Sequence, residues 1–190
     1  MTKLSDKIRK ELSLVESPSE MPIKIIAVDG HGGSGKSTLA GQLSQELGAT
    51  VAQVDDFASF DNPSDWTEKF VESVIKPIKA GAKSLSYSRS KWWPDHDPQP
   101  VEGQLVTPIM ILDGVRSNRK ELRPYLAYSI WVETPEDLCL ARGIERDKKQ
   151  GTEEDIKKIW QDWLKDENAY IQRDQPKENS DIIVDGTEGY

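Results

Sequence analysis

The amino-acid sequence predicts a three-layer α/β fold built on a mostly parallel sheet of about five strands. Short apolar runs alternate with segments of helical periodicity, a glycine-rich loop follows the first of these runs, and acidic residues end three of them. A chain of 190 residues is long enough for one domain with its own core. We therefore expect one domain over residues 21–190, preceded by a helix and linker over residues 1–20.

The first segment has the pattern of an amphipathic helix over residues 3–16, followed by a linker over residues 17–22. Its apolar face carries Leu4, Ile8, Leu12 and Val15. We expect this face to pack on the domain. Binding to a membrane surface is the alternative, but the apolar stripe is narrow and contains no aromatic residue.

The remaining elements alternate along the chain. Strands are predicted at residues 23–28, 50–54, 108–112, 126–132 and 181–184. Helices are predicted at residues 36–47, from 63–66 to about 80 with a possible kink at Pro77, from 135 past 146, and from about 153 to about 172. Residues 83–104, where Trp and Pro are crowded, are expected to be irregular, and a helical lid is expected near residues 142–152.

The most specific motif is the run G-H-G-G-S-G-K-S at Gly30 to Ser37, which matches G-x-x-x-x-G-K-[ST]. Its glycines allow positive φ angles that turn backbone N–H groups inward, and the following helix points its positive end at the same place. Lys36 supplies a positive charge for terminal phosphates, and Ser37 offers a hydroxyl to Mg²⁺. A ligand-free glycine loop is disfavoured, because a strand precedes the motif and a helix follows it. The predicted ATP-binding residues of the loop are Gly30, His31, Gly32, Gly33, Ser34, Gly35, Lys36, Ser37 and Thr38.

Carboxylates follow three apolar strands, as Asp29, Asp55-Asp56 and Asp113. Ligands of open parallel sheets bind beyond the carboxyl ends of the strands, so these acids are expected to face the phosphate loop. Asp55 is the candidate general base and metal neighbour, and Asp113 fits an acid that holds Mg²⁺ through water. Asp56 is a weaker candidate for substrate contact. Asp29 is expected only to brace the loop, and an ordinary turn residue is the alternative for each.

Arginines and aromatic residues further along the chain give additional candidates. Arg142 and Arg146 are four residues apart and so share a helix face, where they could clamp a migrating phosphoryl group or simply pair with nearby acids. Arg116 could reach an acceptor pocket or be a solvated loop residue. The side chains Trp92, Trp93 and His96 could stack on or contact a substrate, or anchor a long loop.

Composition narrows the class of protein. The net charge of −8 and the lack of a basic stripe argue against nucleic acid as a partner. The single cysteine, Cys139, excludes an intramolecular disulfide and is expected to be buried in an apolar helix. No apolar run approaches about 18 residues and no signal-peptide core is present, so we expect no membrane association and a cytoplasmic location.

Taken in order, four motifs make the chain resemble the uridine kinase family of P-loop kinases, which includes nicotinamide riboside and pantothenate kinases. The motifs are Asp29 to Thr38, Asp55 to Phe57, Leu112 to Val115 and Arg142 to Asp147. The resemblance covers about residues 22–186 and implies a five-stranded P-loop fold, ATP and Mg²⁺ use, and transfer of the γ-phosphoryl group to a small-molecule hydroxyl.

The resemblance also implies roles for individual residues. Asp55 matches the family's base, Asp113 its second acidic position, and Arg142 and Arg146 its lid arginines. The segment 83–104, which contains Tyr87, matches the acceptor pocket, and Asp185-Gly186 matches a closing turn near the adenine. The chain departs from the family at Asp113, where relatives often carry Glu, and over Tyr87 to Pro98, which matches no nucleoside-binding pattern.

The sequence therefore predicts an ATP-dependent kinase for a nucleoside such as uridine, with a possible homo-oligomeric state. A kinase for another metabolite, such as nicotinamide riboside or a pantothenate-like compound, is the second hypothesis. A nucleotide-hydrolysing switch without an acceptor is the third, although the N-K-x-D and L-S-G-G-Q motifs are absent. A non-catalytic ATP sensor is disfavoured by the intact Lys36, Ser37 and Asp55.

Overall fold

The structure is a computed structural model that describes residues 4–59, 62–91 and 97–187. The helices are α1 Leu4–Leu14, α2 Lys36–Leu47, α3 Thr67–Phe70, α4 Lys76–Lys79, α5 Glu136–Asp147 and α6 Glu153–Asp174. The strands are β1 Lys24–Asp29, β2 Thr50–Gln53, β3 Ser84–Tyr87, β4 Val101–Leu105, β5 Ile109–Asp113, β6 Tyr128–Glu133 and β7 Ile182–Asp185. None of the helices formed by these residues is both long and apolar enough to cross a lipid bilayer.

Five parallel strands form the central sheet in the order β2-β5-β1-β6-β7, so the predicted fold class is confirmed. The strands are continuous apolar runs because helices cover both faces of the sheet. On one face Ile25 and Met110 pack in a cluster with Phe70 of α3, and on the other Ile26 and Ile111 pack in a cluster with residues of α1 and α2. The sheet is thus the middle of three layers.

The register of the strands brings their carboxyl ends together. Asp113 at the end of β5 pairs with Val28 of β1 and with Gln53 of β2. The chain leaves β1 at Asp29 and runs directly into the glycine-rich loop. This edge of the sheet therefore collects the phosphate loop and the strand-end carboxylates.

The leading helix α1 packs on the domain, as expected. Ile8 and Leu12 are 0% and 2% exposed and belong to the same apolar cluster as α2. Burying two such side chains contributes roughly 1.5–3 kcal/mol each. Arg9 adds a hydrogen bond to the carbonyl of Glu46 at 2.7 Å. Val15, predicted on the same face, lies beyond the helix end and is 41% exposed.

The expectation that residues 83–104 are irregular is wrong. Strands β3 and β4 pair there as an antiparallel hairpin, with Tyr87 opposite Val101. The segment has the period-2 pattern of a half-buried strand, because Leu85 and Tyr87 are buried while Ser84 and Ser86 are exposed. Because this alternation spans only the four residues of β3, it is a weak signal in the sequence.

The kink expected at Pro77 takes the form of a π turn. Helical structure runs from α3 through a π turn at Val71–Ile75 into α4. Pro77 has no N–H to donate to the preceding turn, and a wider turn ahead of it accommodates this loss. Val74 and Ile75 in the π turn are buried against the sheet, so apolar packing holds the irregular turn in place.

Candidate active site

The phosphate loop joins β1 to α2 in a tight backbone arrangement. Gly33 has a φ angle of +81°, and a Cβ atom there would lie 2.3 Å from the backbone oxygen of Cys139. Lys36 begins α2 and is 6% exposed, and its Nζ donates to the carbonyl of His31 at 3.1 Å. The loop backbone, Lys36 and the helix end together form what we call the phosphate cradle, and its binding of a nucleotide stays a prediction.

Cys139 packs against the phosphate loop and has a structural role rather than a reactive one. It is 1% exposed, and its backbone packs against Gly33. Burial raises the pKa of its thiol to about 11, so the thiolate that would be reactive is scarce at neutral pH. The expected structural role of Cys139 is confirmed.

Asp55 lies in the short 3₁₀ turn that follows β2. Its carboxylate faces the end of β5, where an oxygen would be 2.9 Å from a Cβ atom built on Gly114. Burial raises the pKa of Asp55 to about 6, while the charge of Lys36 lowers it and the charge of Asp113 raises it. A carboxylate with a pKa near neutrality is suited to accept a proton at physiological pH.

Asp113 has the features of a metal-facing carboxylate. It is 0% exposed, and within the described chain neither of its carboxylate oxygens has a hydrogen-bond partner. A buried, unpartnered carboxylate is costly unless a cation or ordered water satisfies it. Ser37, in the first turn of α2, is exposed.

These residues fit Mg²⁺ held jointly with a nucleotide. In residues 4–59, 62–91 and 97–187, no three His, Cys, Asp or Glu side chains converge into a cage for a metal. Mg²⁺ characteristically takes only one or two protein ligands, with water and phosphate oxygens completing its shell. Asp113, Ser37 and Asp55 are the residues that would contribute.

Asp29 braces the loop, as expected. Its carboxylate accepts hydrogen bonds from the backbone N–H groups of Gly30 at 2.7 Å, Arg116 at 3.1 Å and Asn118 at 2.8 Å. It also accepts one from the hydroxyl of Tyr170 at 2.6 Å. A single buried carboxylate thus ties the phosphate loop to the loop after β5 and to α6.

A cavity of about 660 Å³ extends from the phosphate loop across the carboxyl edge of the sheet. Lys36 and Asp55 lie at its phosphate end. The remaining wall includes polar residues from several parts of the chain, which are Gln53, Asp56, Arg89, Ser90, Gln99, Arg116, Arg146, Asp166 and Glu167. Its volume is in the range of a small-molecule site.

The hairpin and the turn after β2 build one wall of this cavity. Arg89 pairs with Asp56 at 3.2 Å, and the hydroxyl of Tyr87 donates to the same carboxylate at 3.3 Å. The backbone N–H of Ser90 donates to the carbonyl of Asp56 at 2.7 Å. Two predicted substrate residues, Asp56 and Tyr87, are therefore in contact, and Arg89, which the sequence did not single out, joins them.

Arg116 lines the cavity, but its guanidinium already has partners. It forms an ion pair with Asp166 of α6 and stacks over the ring of Tyr170 at 5.5 Å. Its backbone has a φ angle of +72°, an uncommon conformation for a residue other than glycine. The hydrogen bond from its N–H to Asp29 holds this conformation in place.

The two arginines of α5 contact different parts of the protein. Arg142 donates to the backbone carbonyls of Gly186 at 2.9 Å and Thr187 at 3.1 Å. Arg146 lines the cavity and pairs with Asp147 at 2.9 Å. A joint clamp by both arginines is therefore not assembled in this structure, and it stays a prediction.

The turn expected near the adenine lies beside the phosphate loop. Gly186 follows β7 and donates its N–H to the carbonyl of Glu133 at 2.8 Å. A Cβ atom on Gly186 would lie 2.3 Å from the carbonyl oxygen of Ser34, which shows how closely this turn approaches the loop. The Asp185 carboxylate accepts from the Thr187 hydroxyl at 2.6 Å.

The predicted substrate residues Trp92, Trp93 and His96 lie outside the described residues.

Helix α6 contributes side chains that the sequence reasoning missed. Trp160, Trp163 and Glu167 follow a spacing of three and four residues, so they lie on one face of the helix and on the cavity wall. The sequence alone indicates an amphipathic helix with this spacing. It does not show whether Trp160 and Trp163 belong to the core or to a binding site, which only the tertiary structure decides.

The parallel sheet, the phosphate loop between β1 and α2, and the carboxylates at the ends of β2 and β5 define a P-loop kinase fold. The chain is 25% identical over 181 residues to the uridine kinase of Borrelia duttonii, which covers 85% of this chain and 86% of that protein. It is 26% identical over 148 residues to the uridine kinase of Mannheimia succiniciproducens, which covers 66% and 68% of the two chains. No protein-family model matches the chain.

Two solved structures share the fold. One, described as a possible uridine kinase from Bacillus stearothermophilus, has a TM-score of 0.61 at 18% identity and covers 94% of this chain and 100% of that one. The other, provisionally named a fructose transport system kinase from Silicibacter sp. TM1040, has a TM-score of 0.67 at 18% identity and covers 97% and 100%. The predicted resemblance to uridine kinases is confirmed, and the chain has the fold of a P-loop kinase.

Proposed function

We propose that this protein is an ATP-dependent kinase that transfers the γ-phosphoryl group to a hydroxyl of a neutral small molecule, with uridine as the first candidate. One observation carries the proposal. Asp55, with a pKa raised to about 6 by burial, lines the same cavity as Lys36 of the phosphate loop, and that cavity is large enough for a second substrate. The sequence relatives that are named uridine kinases support the choice of acceptor.

In this proposal the chain's own residues bind and orient both substrates. The loop N–H groups and Lys36 bind the phosphates, and the positive end of α2 stabilises their charge. Asp55 orients the acceptor hydroxyl and takes its proton at a carboxylate oxygen. Mg²⁺, held with the phosphates near Asp113 and Ser37, would neutralise the charge that develops on the phosphoryl oxygens.

Paired charges on the cavity wall favour a neutral acceptor. In the described part of the wall, the arginines each have a carboxylate partner: Arg89 with Asp56, Arg116 with Asp166, and Arg146 with Asp147. Such pairs present donors and acceptors side by side without net charge, which suits hydroxyl and amide groups. An acceptor with its own carboxylate, such as a pantothenate-like compound, would have to break one of these pairs.

Replacing Arg89 with Gln is expected to raise the KM for the acceptor by roughly ten- to a hundredfold. The substitution leaves Asp56 without its charged partner on the acceptor wall, where the pair is separated by 3.2 Å. The KM for ATP should stay within about twofold of the wild-type value, because the substitution removes a contact on the acceptor wall and leaves the nucleotide site unchanged. Steady-state kinetics with each substrate varied in turn measure both values.

The control is Lys10→Gln on the exposed face of α1, which removes the same charge far from the cavity. It should leave both KM values unchanged. An equal rise in the KM for ATP and for the acceptor in Arg89→Gln would contradict a role in acceptor binding.

The proposed activity is tested by measuring ADP release across a panel of neutral nucleosides, nicotinamide riboside and pantothenate. We expect release that depends on one neutral acceptor, with formation of its phosphate ester in equal amount. ADP release that is independent of every acceptor would support the nucleotide-hydrolysing switch instead. Release that depends only on the carboxylate-bearing compound would refute the neutral acceptor.

A further inference from the structure

We propose that the carboxylate of Glu167 in α6 occupies the phosphate cradle when no nucleotide is bound. It takes the place of a nucleotide phosphate oxygen and leaves when the nucleotide binds. This inference rests on the proposed nucleotide-binding function. It assigns to Glu167 control over the affinity for the nucleotide, in addition to the roles of the loop residues.

The contacts of Glu167 are those of an anion bound in the loop. Its Oε2 accepts the backbone N–H of Gly32 at 3.0 Å and lies 3.0 Å from Nδ1 of His31. The residue is only 8% exposed, so these contacts are shielded from water. Carboxylate and phosphate oxygens compete for the same backbone donors, because both are anionic acceptors at a helix start.

A surface explanation of this contact does not hold. A glutamate on the outer face of α6 would remain solvated, as Glu154 does. Glu167 is instead buried, and its charge acts on the nearby Asp55 carboxylate. Burial of like charges near each other is unfavourable, so the donors of the loop must offset that cost.

Trp160 holds the same face of α6 on the loop. A Cβ atom on Gly32 would lie 2.9 Å from the Trp160 ring, and one on Gly143 would lie 2.4 Å from it. The indole N–H donates to Asp147 at 3.1 Å. Trp160 and Glu167 are seven residues apart, two helical turns on one face, so α6 closes over the loop as a unit.

The test compares the wild-type protein with Glu167→Gln and Glu167→Asp by isothermal titration calorimetry. The ligands are ATP with Mg²⁺, inorganic tripolyphosphate and adenosine. The first variant removes the charge, and the second keeps the charge but shortens the side chain by one methylene group. We expect both variants to bind ATP and tripolyphosphate roughly ten- to a hundredfold more tightly, because Gln lacks the charge and the shorter Asp does not reach the donors of the loop.

The control is Glu154→Gln, which makes the same change of charge at an exposed position of α6 and should leave all affinities within about twofold of wild type. Adenosine, which has no phosphate, should bind the Glu167 variants and the wild type equally. Circular dichroism and thermal unfolding without ligand establish that each variant is folded, with lower melting temperatures for the Glu167 variants.

Three results would overturn the inference. Equal or weaker binding of ATP and tripolyphosphate by both Glu167 variants would refute it while leaving the kinase proposal intact. Tighter binding by Glu167→Gln alone would indicate repulsion at a distance rather than occupation of the cradle. If neither phosphate ligand bound to any form of the protein, the inference and the proposed function would fail together.

Discussion

Replacing Asp55 with Asn is expected to lower turnover by roughly 10²–10⁴-fold while ATP still binds. Asn keeps the size of the side chain but cannot take a proton from the acceptor hydroxyl. Asp55 lines the cavity together with Lys36, so its carboxylate is placed to accept that proton. Its pKa of about 6 means that it is largely ionised at neutral pH and ready to accept.

The measurement is kcat under saturating ATP and acceptor, together with the Kd for ATP from calorimetry. Asp65→Asn serves as the control, since Asp65 is exposed and the change in charge is the same. We expect wild-type turnover for Asp65→Asn. Wild-type turnover in Asp55→Asn would show that Asp55 is not the base and that another group accepts the proton.

Replacing Gly33 with Ala is expected to abolish detectable ATP binding and to lower the free energy of unfolding by about 2–4 kcal/mol. The backbone at Gly33 has a φ angle of +81°, which is unfavourable for alanine. In addition, the new Cβ atom would lie 2.3 Å from the carbonyl oxygen of Cys139. That oxygen belongs to the backbone of α5, so relief of the clash requires the loop or the helix to move.

Gly41→Ala is the matched control on the adjacent helix α2. No atom lies within 4 Å of a Cβ built on Gly41, and the position is helical. Alanine there is expected to raise the free energy of unfolding by roughly 0.5–1 kcal/mol without changing ATP binding. Chemical denaturation and calorimetry test both variants, and wild-type ATP affinity in Gly33→Ala would contradict the assigned geometry of the loop.

The regular elements were predictable wherever the local pattern was strong. Helix α2 was predicted at residues 36–47 and is observed at Lys36–Leu47, because a glycine-rich loop starts it and Gly48 ends it in the left-handed conformation. Strand β1 was predicted at residues 23–28 and is observed at Lys24–Asp29, because its pairing with β6 continues to Asp29. The hairpin of β3 and β4 was missed because its two short strands are about 13 residues apart in sequence and pair through long-range contacts.

The candidate site divides in the same way. Lys36 and Asp113 were accessible to sequence reasoning, since a motif identifies the first and a strand end positions the second. Arg89 and Glu167 were not, because each acquires its role only from a partner far along the chain, Asp56 for one and Gly32 for the other. For Arg142 the sequence prediction went beyond what the structure shows. Helical spacing predicted that Arg142 acts together with Arg146, but Arg142 donates to the backbone carbonyls of Gly186 and Thr187.

Local sequence alone was enough to specify the α/β class, the phosphate loop and the strand-end carboxylates, because these depend on local backbone requirements and on the periodicity of apolar residues. What faces that loop depends instead on how the chain folds back on itself. The burial of Glu167 against Gly32 and the pairing of Arg89 with Asp56 arise from packing between distant segments. The same holds for the carboxylate of Asp113, which has no hydrogen-bond partner among the residues that the structure describes. Burial and charge at a site are properties of all the elements that meet there, and no single stretch of sequence contains them.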